Sequence, residues 1–123
     1  MNTRARGAGF ERHAERFLQR QGLRPVTRNF TCRVGEIDLI MRHDDCLVFV
    51  EVRYRADPSY GSGADTVTRT KQSRLSRAAA LFLARNPRWS RGACRFDVVS
   101  LEGPAHPPSV AWYRHAFESA LPD

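Results

Sequence analysis

Lysine and long apolar runs are both scarce in this sequence. Of its 20 basic residues only Lys71 is a lysine, and the others are arginines. No stretch approaches the roughly 18 apolar residues that a membrane span requires. The N-terminal residues contain no apolar signal-peptide core, which favours a cytoplasmic location. The composition also lacks the signature of a disordered chain.

Cysteine is rare as well. Cys32, Cys46 and Cys94 are odd in number and widely spaced, and no C-x-x-C pair occurs. This spacing indicates neither a disulfide framework nor a structural zinc site. The four histidines show no ligand spacing either. Three reduced, partly buried thiols are therefore expected.

Positive charge is what the chain has in excess. Its formal net charge is +7. Such a balance favours an anionic partner, most simply nucleic acid. An anionic membrane surface is the weaker alternative to nucleic acid, because no basic amphipathic helix has a strong apolar face, and no membrane partner is expected. A strong preference for arginine also fits coding bias, and a basic surface can be merely a solvated one. The charge alone therefore leaves the partner open.

Hydrophobic periodicity predicts one α/β domain over residues 1–123, in which helices flank a mixed central sheet. The predicted order is αβββαβ, with one or two strands at the end. The predicted elements are a helix at 7–22, a strand at 25–32, two strands within 35–55, a loop at 56–66, a helix at 68–86, a strand at 94–102, and a strand over 110–117 that runs into a final helical turn.

The stretch 35–55 contains two apolar strands joined by a polar turn, which predicts an antiparallel hairpin. Its second strand is apolar on both faces and should lie in the centre of the sheet. Each strand nevertheless carries a carboxylate, Asp38 on the first and Glu51 on the second. A carboxylate on a buried strand is costly unless it is paired or binds a metal.

Asp38 and Glu51, at adjacent strand ends, can jointly hold one Mg²⁺ or Mn²⁺, and the backbone carbonyl of Val52 is a natural third ligand. Such an ion would acidify a water and neutralise charge on a scissile phosphate. An Asp followed on the next strand by a Glu-x-basic triplet is the arrangement of the PD-(D/E)XK nucleases. The alternative is a buried ion-pair cluster in which the two carboxylates pair with Arg53 or Arg55.

Four blocks of sequence carry a more specific resemblance. They are GEIDLI at 35–40, LVFVEVRYR at 47–55, VTRTKQSRL at 67–75 and CRFDVV at 94–99. Together with Gly7, Glu11 and Ala14 they resemble the YraN family of small bacterial proteins. The resemblance implies a restriction-endonuclease-like fold near the archaeal Holliday-junction resolvases. It therefore implies a DNA endonuclease, for which branched or structured DNA is one expected substrate.

The same resemblance implies roles for individual residues. Asp38, Glu51 and position 53 are the motif residues, and Glu11 matches the helical glutamate that some relatives add to the metal shell. Glu36 lies within a family block but has no firm role. DNA is the implied partner. A homodimer and contacts with DNA-repair or recombination proteins are further expectations.

Position 53 departs from the superfamily pattern, because an arginine stands where a lysine is usual. Arginine cannot act as a general base, although it can bind phosphate bidentately. Lys71, in the first turn of the second helix, is the hypothesised substitute. The residues expected to contact nucleic acid are Arg55, Lys71, Gln72, Arg74 and Arg77.

Two other functions remain open from the sequence. The chain could be a DNA-binding module without catalysis, or an accessory protein whose basic face meets a nucleoprotein partner. Asp97 has a weaker case for a catalytic role, and pairing with an arginine of the neighbouring strand is expected instead. Trp89 and Trp112 are expected to pack rather than to stack on bases.

Overall fold

The computed structural model describes residues 3–59 and 61–119, with side chains from residue 7 onward. The two helices and five strands are α1 (Thr3–Arg20), β1 (Arg24–Cys32), β2 (Gly35–His43), β3 (Cys46–Arg55), α2 (Arg69–Arg85), β4 (Cys94–Glu102) and β5 (Ser109–Phe117). Two 3₁₀ turns, Ala64–Thr66 and Pro87–Trp89, flank α2. The predicted α/β class with a mixed sheet flanked by helices is confirmed.

The five strands form one sheet in the order β1-β2-β3-β4-β5. Only β3 and β4 run parallel, and the other neighbours are antiparallel. The predicted hairpin and the central place of β3 are both confirmed. The hairpin closes with His43 opposite Cys46, and Asp44 in its turn has φ 55°. Asp tolerates this left-handed backbone because its short polar side chain can bond locally.

One helix covers each face of the sheet. Ala14 and Leu18 of α1 are fully buried against the face that includes Leu39 and Val50. On the opposite face, α2 packs its apolar stripe against the core, with Leu75 and Phe82 among the buried residues. Both stripes recur at the spacing of three and four residues that predicted the helices.

The ends of several elements differ from the prediction. The first helix begins at residue 3 and ends at Arg20, and α2 begins after Thr68, whose hydroxyl accepts a hydrogen bond from the Lys71 amide at 3.2 Å. The predicted final helical turn is wrong for residues up to 119, because β5 stays extended to Phe117 and pairs with β4. Residues 120–123 lie outside the described part.

The loop between β3 and α2 approaches the sheet closely at Gly63. A Cβ atom at this position would lie 2.3 Å from the side chain of Ser100, so only glycine fits. The 3₁₀ turn at Ala64–Thr66 follows directly and is thereby held near the end of β3. Tyr60, in the same predicted loop, lies outside the described residues.

Within the described residues, neither helix is long and apolar enough to cross a membrane.

Candidate metal centre and its surroundings

The two strands of the hairpin separate at the point where the acidic residues occur. Their last paired residues are Leu39 and Val50, and continuation of this register would place Asp38 opposite Glu51. Instead, the Asp38 carboxylate accepts a hydrogen bond from the backbone amide of Val52 at 2.8 Å. The side chain of Asp38 therefore takes the place of a backbone partner in the gap between the strands.

Val52 was predicted to offer its carbonyl oxygen to a metal. In an extended strand the N–H and C=O groups of one residue lie on the same edge. Because the Val52 amide faces Asp38, its carbonyl oxygen lies on the edge of β3 that faces the same gap. The position fits the prediction, and the ligand role itself stays a prediction.

Glu51 is the least satisfied carboxylate of the site. The residue is 5% exposed, and its buried Oε2 atom accepts no hydrogen bond from any described residue. Burial raises the pKa of Glu51 to about 8, and the neighbouring Asp38 adds to the rise, whereas the positive charges of Lys71 and Arg53 oppose it. A buried acceptor without a donor costs free energy, which a bound cation would recover.

A second group of carboxylates adjoins Asp38 on the side of α1. Glu11, Glu36 and Asp38 each place one oxygen within 4.8 Å of the others. With its amide nitrogen oriented towards them, Asn29 donates to Glu11 at 2.8 Å and to Glu36 at 3.1 Å. Burial raises the pKa of Glu11 to about 7, and the charges of Asp38 and Glu36 contribute.

This clustering places the helical Glu11 beside Asp38, whereas its predicted metal-ligand role stays a prediction, and it adds Glu36, which had no predicted role. The available signal for Glu36 was its spacing of two residues from Asp38, which puts both side chains on one face of a strand. All the candidate ligand atoms at the site are oxygens. Such a set suits a hard cation such as Mg²⁺ or Mn²⁺.

Lys71 reaches the site from the first turn of α2. Its Nζ atom lies 3.4 Å from Glu51 Oε2, as an ion pair without hydrogen-bond geometry, and its side chain is 40% exposed. The alternative drawn from the sequence paired the carboxylates with Arg53 or Arg55. The ion pair that Glu51 makes is instead with Lys71. The catalytic role of Lys71 stays a prediction.

The two arginines of β3 bind the loop that follows. Arg53 donates to the hydroxyl of Thr66 at 3.0 Å and to the Thr66 carbonyl at 3.1 Å. Arg55 forms an ion pair with Glu102 and donates to the carbonyl of Gly61 at 3.2 Å. With its side chain 12% exposed, Arg55 is mainly engaged within the protein. Its contact with nucleic acid stays a prediction.

The remaining residues predicted to contact nucleic acid lie along α2. Arg74 and Arg77 are exposed on the turns that follow Lys71. Gln72, in contrast, donates from its side chain to the Val67 carbonyl at 3.0 Å and so supports the start of the helix. No residue of α1 was predicted to contact nucleic acid. Its exposed Arg12, however, lines two grooves, one of which Glu11 also lines.

Asp97 belongs to a different network. It is fully buried and binds Arg95 of its own strand at 2.9 and 3.2 Å, so the predicted arginine on the neighbouring strand is wrong. The Trp112 indole and the His115 amide also donate to it, at 2.9 and 3.0 Å. These bonds hold β5 against β4 where their register shifts, because His115 can turn its amide inwards at φ 50°.

Comparison with known sequences gives a family but no activity. The model of Uncharacterised protein family UPF0102 matches residues 10–101. A UPF0102 protein of Pseudomonas putida GB-1 is 46% identical over 117 residues, which are 94% of this chain and 94% of the relative. Relatives from Photobacterium profundum and Aeromonas hydrophila are 47% and 48% identical over 114 residues, 92% of this chain and 90% and 85% of the respective relative.

Proposed function

The chain belongs to the uncharacterised protein family UPF0102, as the resemblance in sequence predicted, and from this premise we propose that it is a Mg²⁺-dependent endonuclease acting on DNA. The observation that carries the proposal is the buried Glu51 oxygen beside Asp38, which accepts no hydrogen bond from the described residues. A carboxylate that is equally buried and has only a structural role would be expected to accept hydrogen bonds at both oxygens. Because the Lys71 ammonium 3.4 Å away makes an ion pair but no hydrogen bond with this oxygen, a metal ion is the further partner that the site suits.

The position of each residue at the site determines the role that we assign to it. Asp38 and Glu51 would hold the ion between them, with the Val52 carbonyl on the same edge and Glu11 approaching Asp38 from α1. A bound Mg²⁺ supplies Lewis acidity towards a phosphate and lowers the pKa of a water. The hydrogen bond from the Val52 amide fixes the Asp38 carboxylate, so that little reorganisation is needed when the ion binds.

Lys71 is the residue we assign in place of the usual lysine at position 53. Its ammonium group lies beside Glu51 and is partly exposed, so it can meet a phosphate oxygen at the site and stabilise charge that develops there. Arg53 donates to Thr66 and orders the adjacent turn. A function of Lys71 as proton acceptor would also fit this position, whereas Arg53 cannot lose its proton.

DNA is the proposed substrate because the site lies beside exposed arginines. Arg74 and Arg77 extend from Lys71 along α2, and phosphate contacts of this kind are expected to set affinity without reading sequence. Replacing both arginines with glutamine should weaken DNA binding and reduce the log–log salt slope by roughly 0.9 for each phosphate that is no longer neutralised. Fluorescence anisotropy across a salt series measures this slope.

A cleavage panel tests the activity. Wild type, Glu51→Gln and Arg53→Lys are incubated with Mg²⁺ or Mn²⁺ and with linear duplex, single strands, flaps and four-way junctions. We expect metal-dependent cleavage by wild type and a loss of at least roughly 10³-fold in Glu51→Gln, since the variant lacks a ligand charge. Cleavage that survives this substitution or the addition of EDTA would contradict the proposal.

The presence of Arg53 favours a second candidate, a DNA-binding module without catalysis. DNA binding without cleavage of any substrate, also in Arg53→Lys, would support it. The third candidate is an accessory protein that meets a nucleoprotein partner. It predicts a flat salt response towards bare DNA, because no phosphate contacts would be made. The same panel and salt series therefore separate all three functions.

A further inference from the structure

A groove of about 630 Å³ lies between α1 and the loop that joins β4 to β5. Its lining combines an aromatic pair, Phe10 and Tyr54, with three prolines of the loop, with two arginines, Arg12 and Arg16, and with two histidines, His13 and His106. None of the described residues that line it is acidic. This mixture of flat apolar surface and positive charge differs from the carboxylate cluster next to it.

Tyr54 forms a platform in this groove. Its ring stacks on Phe10 with centroids 4.4 Å apart and planes 8° from parallel, and its hydroxyl donates to the Gly103 carbonyl at 3.5 Å. The residue nevertheless remains 36% exposed, and it is the one large hydrophobic residue so exposed among those described. The stacking on Phe10 and the bond to Gly103 hold the ring in place, and its exposed part offers an aromatic surface to a ligand.

The chemistry of the groove matches an unpaired nucleotide. Single-stranded nucleic acid is bound by aromatic rings that stack on its bases and by basic side chains that contact its phosphates. Arg12 and Arg16 supply the charge one helical turn apart on α1. A base-paired duplex hides its base faces within the stack, so it could use the charges but not the ring of Tyr54.

The groove adjoins the candidate metal centre on the side of α1. Arg12 and Arg16 line both this groove and a second groove, which Glu11 also lines. We propose that the groove binds an unpaired base next to the scissile phosphate, so that the substrate is DNA with a single-stranded segment at the point of cleavage. This inference rests on the proposed function and names its substrate class.

Binding without divalent metal tests the groove apart from the chemistry. A gapped or single-stranded oligonucleotide carrying 2-aminopurine is titrated with protein in EDTA, and a blunt duplex of equal length serves for comparison. We expect tighter binding of the unpaired DNA and quenching of its 2-aminopurine. Tyr54→Leu should lose about tenfold in affinity for the unpaired DNA, whereas Tyr54→Phe, which keeps the ring, should bind as wild type does.

Matched charge variants complete the test. Arg12→Gln with Arg16→Gln should weaken binding of the unpaired DNA. Arg42→Gln with Arg88→Gln removes the same charge beside the hairpin turn at the opposite end of β3 and should weaken it less. Equal effects of the two pairs, or equal affinity for blunt duplex and unpaired DNA, would overturn the inference.

Failure of this inference is distinguishable from failure of the proposed function. Metal-dependent cleavage that is equally fast on blunt duplex and unaffected by Tyr54→Leu would refute the groove alone. A preference for unpaired DNA that depends on Tyr54, in a protein that cleaves nothing, would support the groove and refute the nuclease. Quenching that persists in Tyr54→Leu would count against the groove in either case.

Discussion

Asp97 and Glu51 are both buried carboxylates, on adjacent parallel strands, yet their surroundings differ completely. Asp97 is bound by the guanidinium of Arg95, by the Trp112 indole and by the His115 amide. Glu51 has one buried oxygen without a hydrogen bond from the described residues, and an ammonium group 3.4 Å away. The sequence alone shows an acid on a strand in both cases.

The difference teaches how to separate a structural acid from a functional one. A buried carboxylate with all its donors in place stabilises the fold through those bonds, and it has no capacity left for a ligand. A buried carboxylate that lacks donors is costly in the free protein. That cost is the kind found at sites prepared for a cation, with a raised pKa as its electrostatic sign. Each carboxylate therefore predicts a different response to mutation.

The largest effect on stability is expected at Asp97. Asp97→Asn leaves the buried guanidinium of Arg95 without its anionic partner. The asparagine side chain also turns its amide towards this guanidinium. We expect the free energy of unfolding to fall by about 3 kcal/mol, since a broken buried ion pair leaves an uncompensated charge. Urea denaturation followed by circular dichroism measures the change.

Asp44→Asn is the matched control, because it removes the same charge at an exposed turn where asparagine also tolerates a positive φ. We expect a change within about 0.5 kcal/mol for this variant. If the two substitutions cost the same, Asp97 would not be the structural acid that its bonds indicate.

The next effect concerns catalysis at Lys71. Lys71→Met keeps the aliphatic stem but removes the ammonium group beside Glu51. We expect cleavage to slow by about 10²-fold because charge on the phosphate loses its stabilisation, while stability changes little at this partly exposed position. Single-turnover cleavage rates measure the effect. Arg85→Met, in the last turn of α2, is the control, and unchanged cleavage by Lys71→Met would remove Lys71 from the site.

A smaller effect is the pH dependence of stability without divalent ions. The pKa of Glu51 is raised to about 8 and that of Glu11 to about 7, so the folded state holds protons that the unfolded state releases above pH of about 4.5. Stability should therefore fall as pH rises from about 5 to 8.

Glu51→Gln should flatten this fall and raise the stability at pH 8 by about 2 kcal/mol, because an uncharged amide avoids the cost of ionisation there. Denaturation curves in EDTA across the pH range show both effects, and a slope unchanged in Glu51→Gln would assign the pH dependence to other groups.

Much of the fold followed from the sequence because its signals are local. The apolar stripes predicted both helices, and the two apolar runs around a polar turn predicted the hairpin. The register of that hairpin is enough to bring Asp38 and Glu51 together. In the same way, the position of Lys71 at the start of α2 sufficed to suggest its approach to the site.

The rest depended on contacts between distant residues. Arg55 pairs with Glu102, 47 residues away, and no local pattern marks that partner. The prediction of a final helical turn failed because the pairing of β5 with β4 and the bonds from Trp112 and His115 to Asp97 are tertiary. Asn29 joined the acidic cluster through the pairing of β1 with β2.

Metal binding to the purified protein tests the central claim most directly. Mn²⁺ is titrated into wild type, Glu51→Gln and Glu118→Gln, an exposed control, while thermal unfolding and calorimetric heat are followed. We predict saturable Mn²⁺ binding that raises Tm in wild type and in the control. At a Mn²⁺ concentration a hundred times Kd, binding should stabilise the folded state by about 2.7 kcal/mol. Glu51→Gln should lose both the binding and the rise in Tm. Absence of binding to wild type, or equal binding to Glu51→Gln, would contradict the claim that Glu51 is buried to hold a cation.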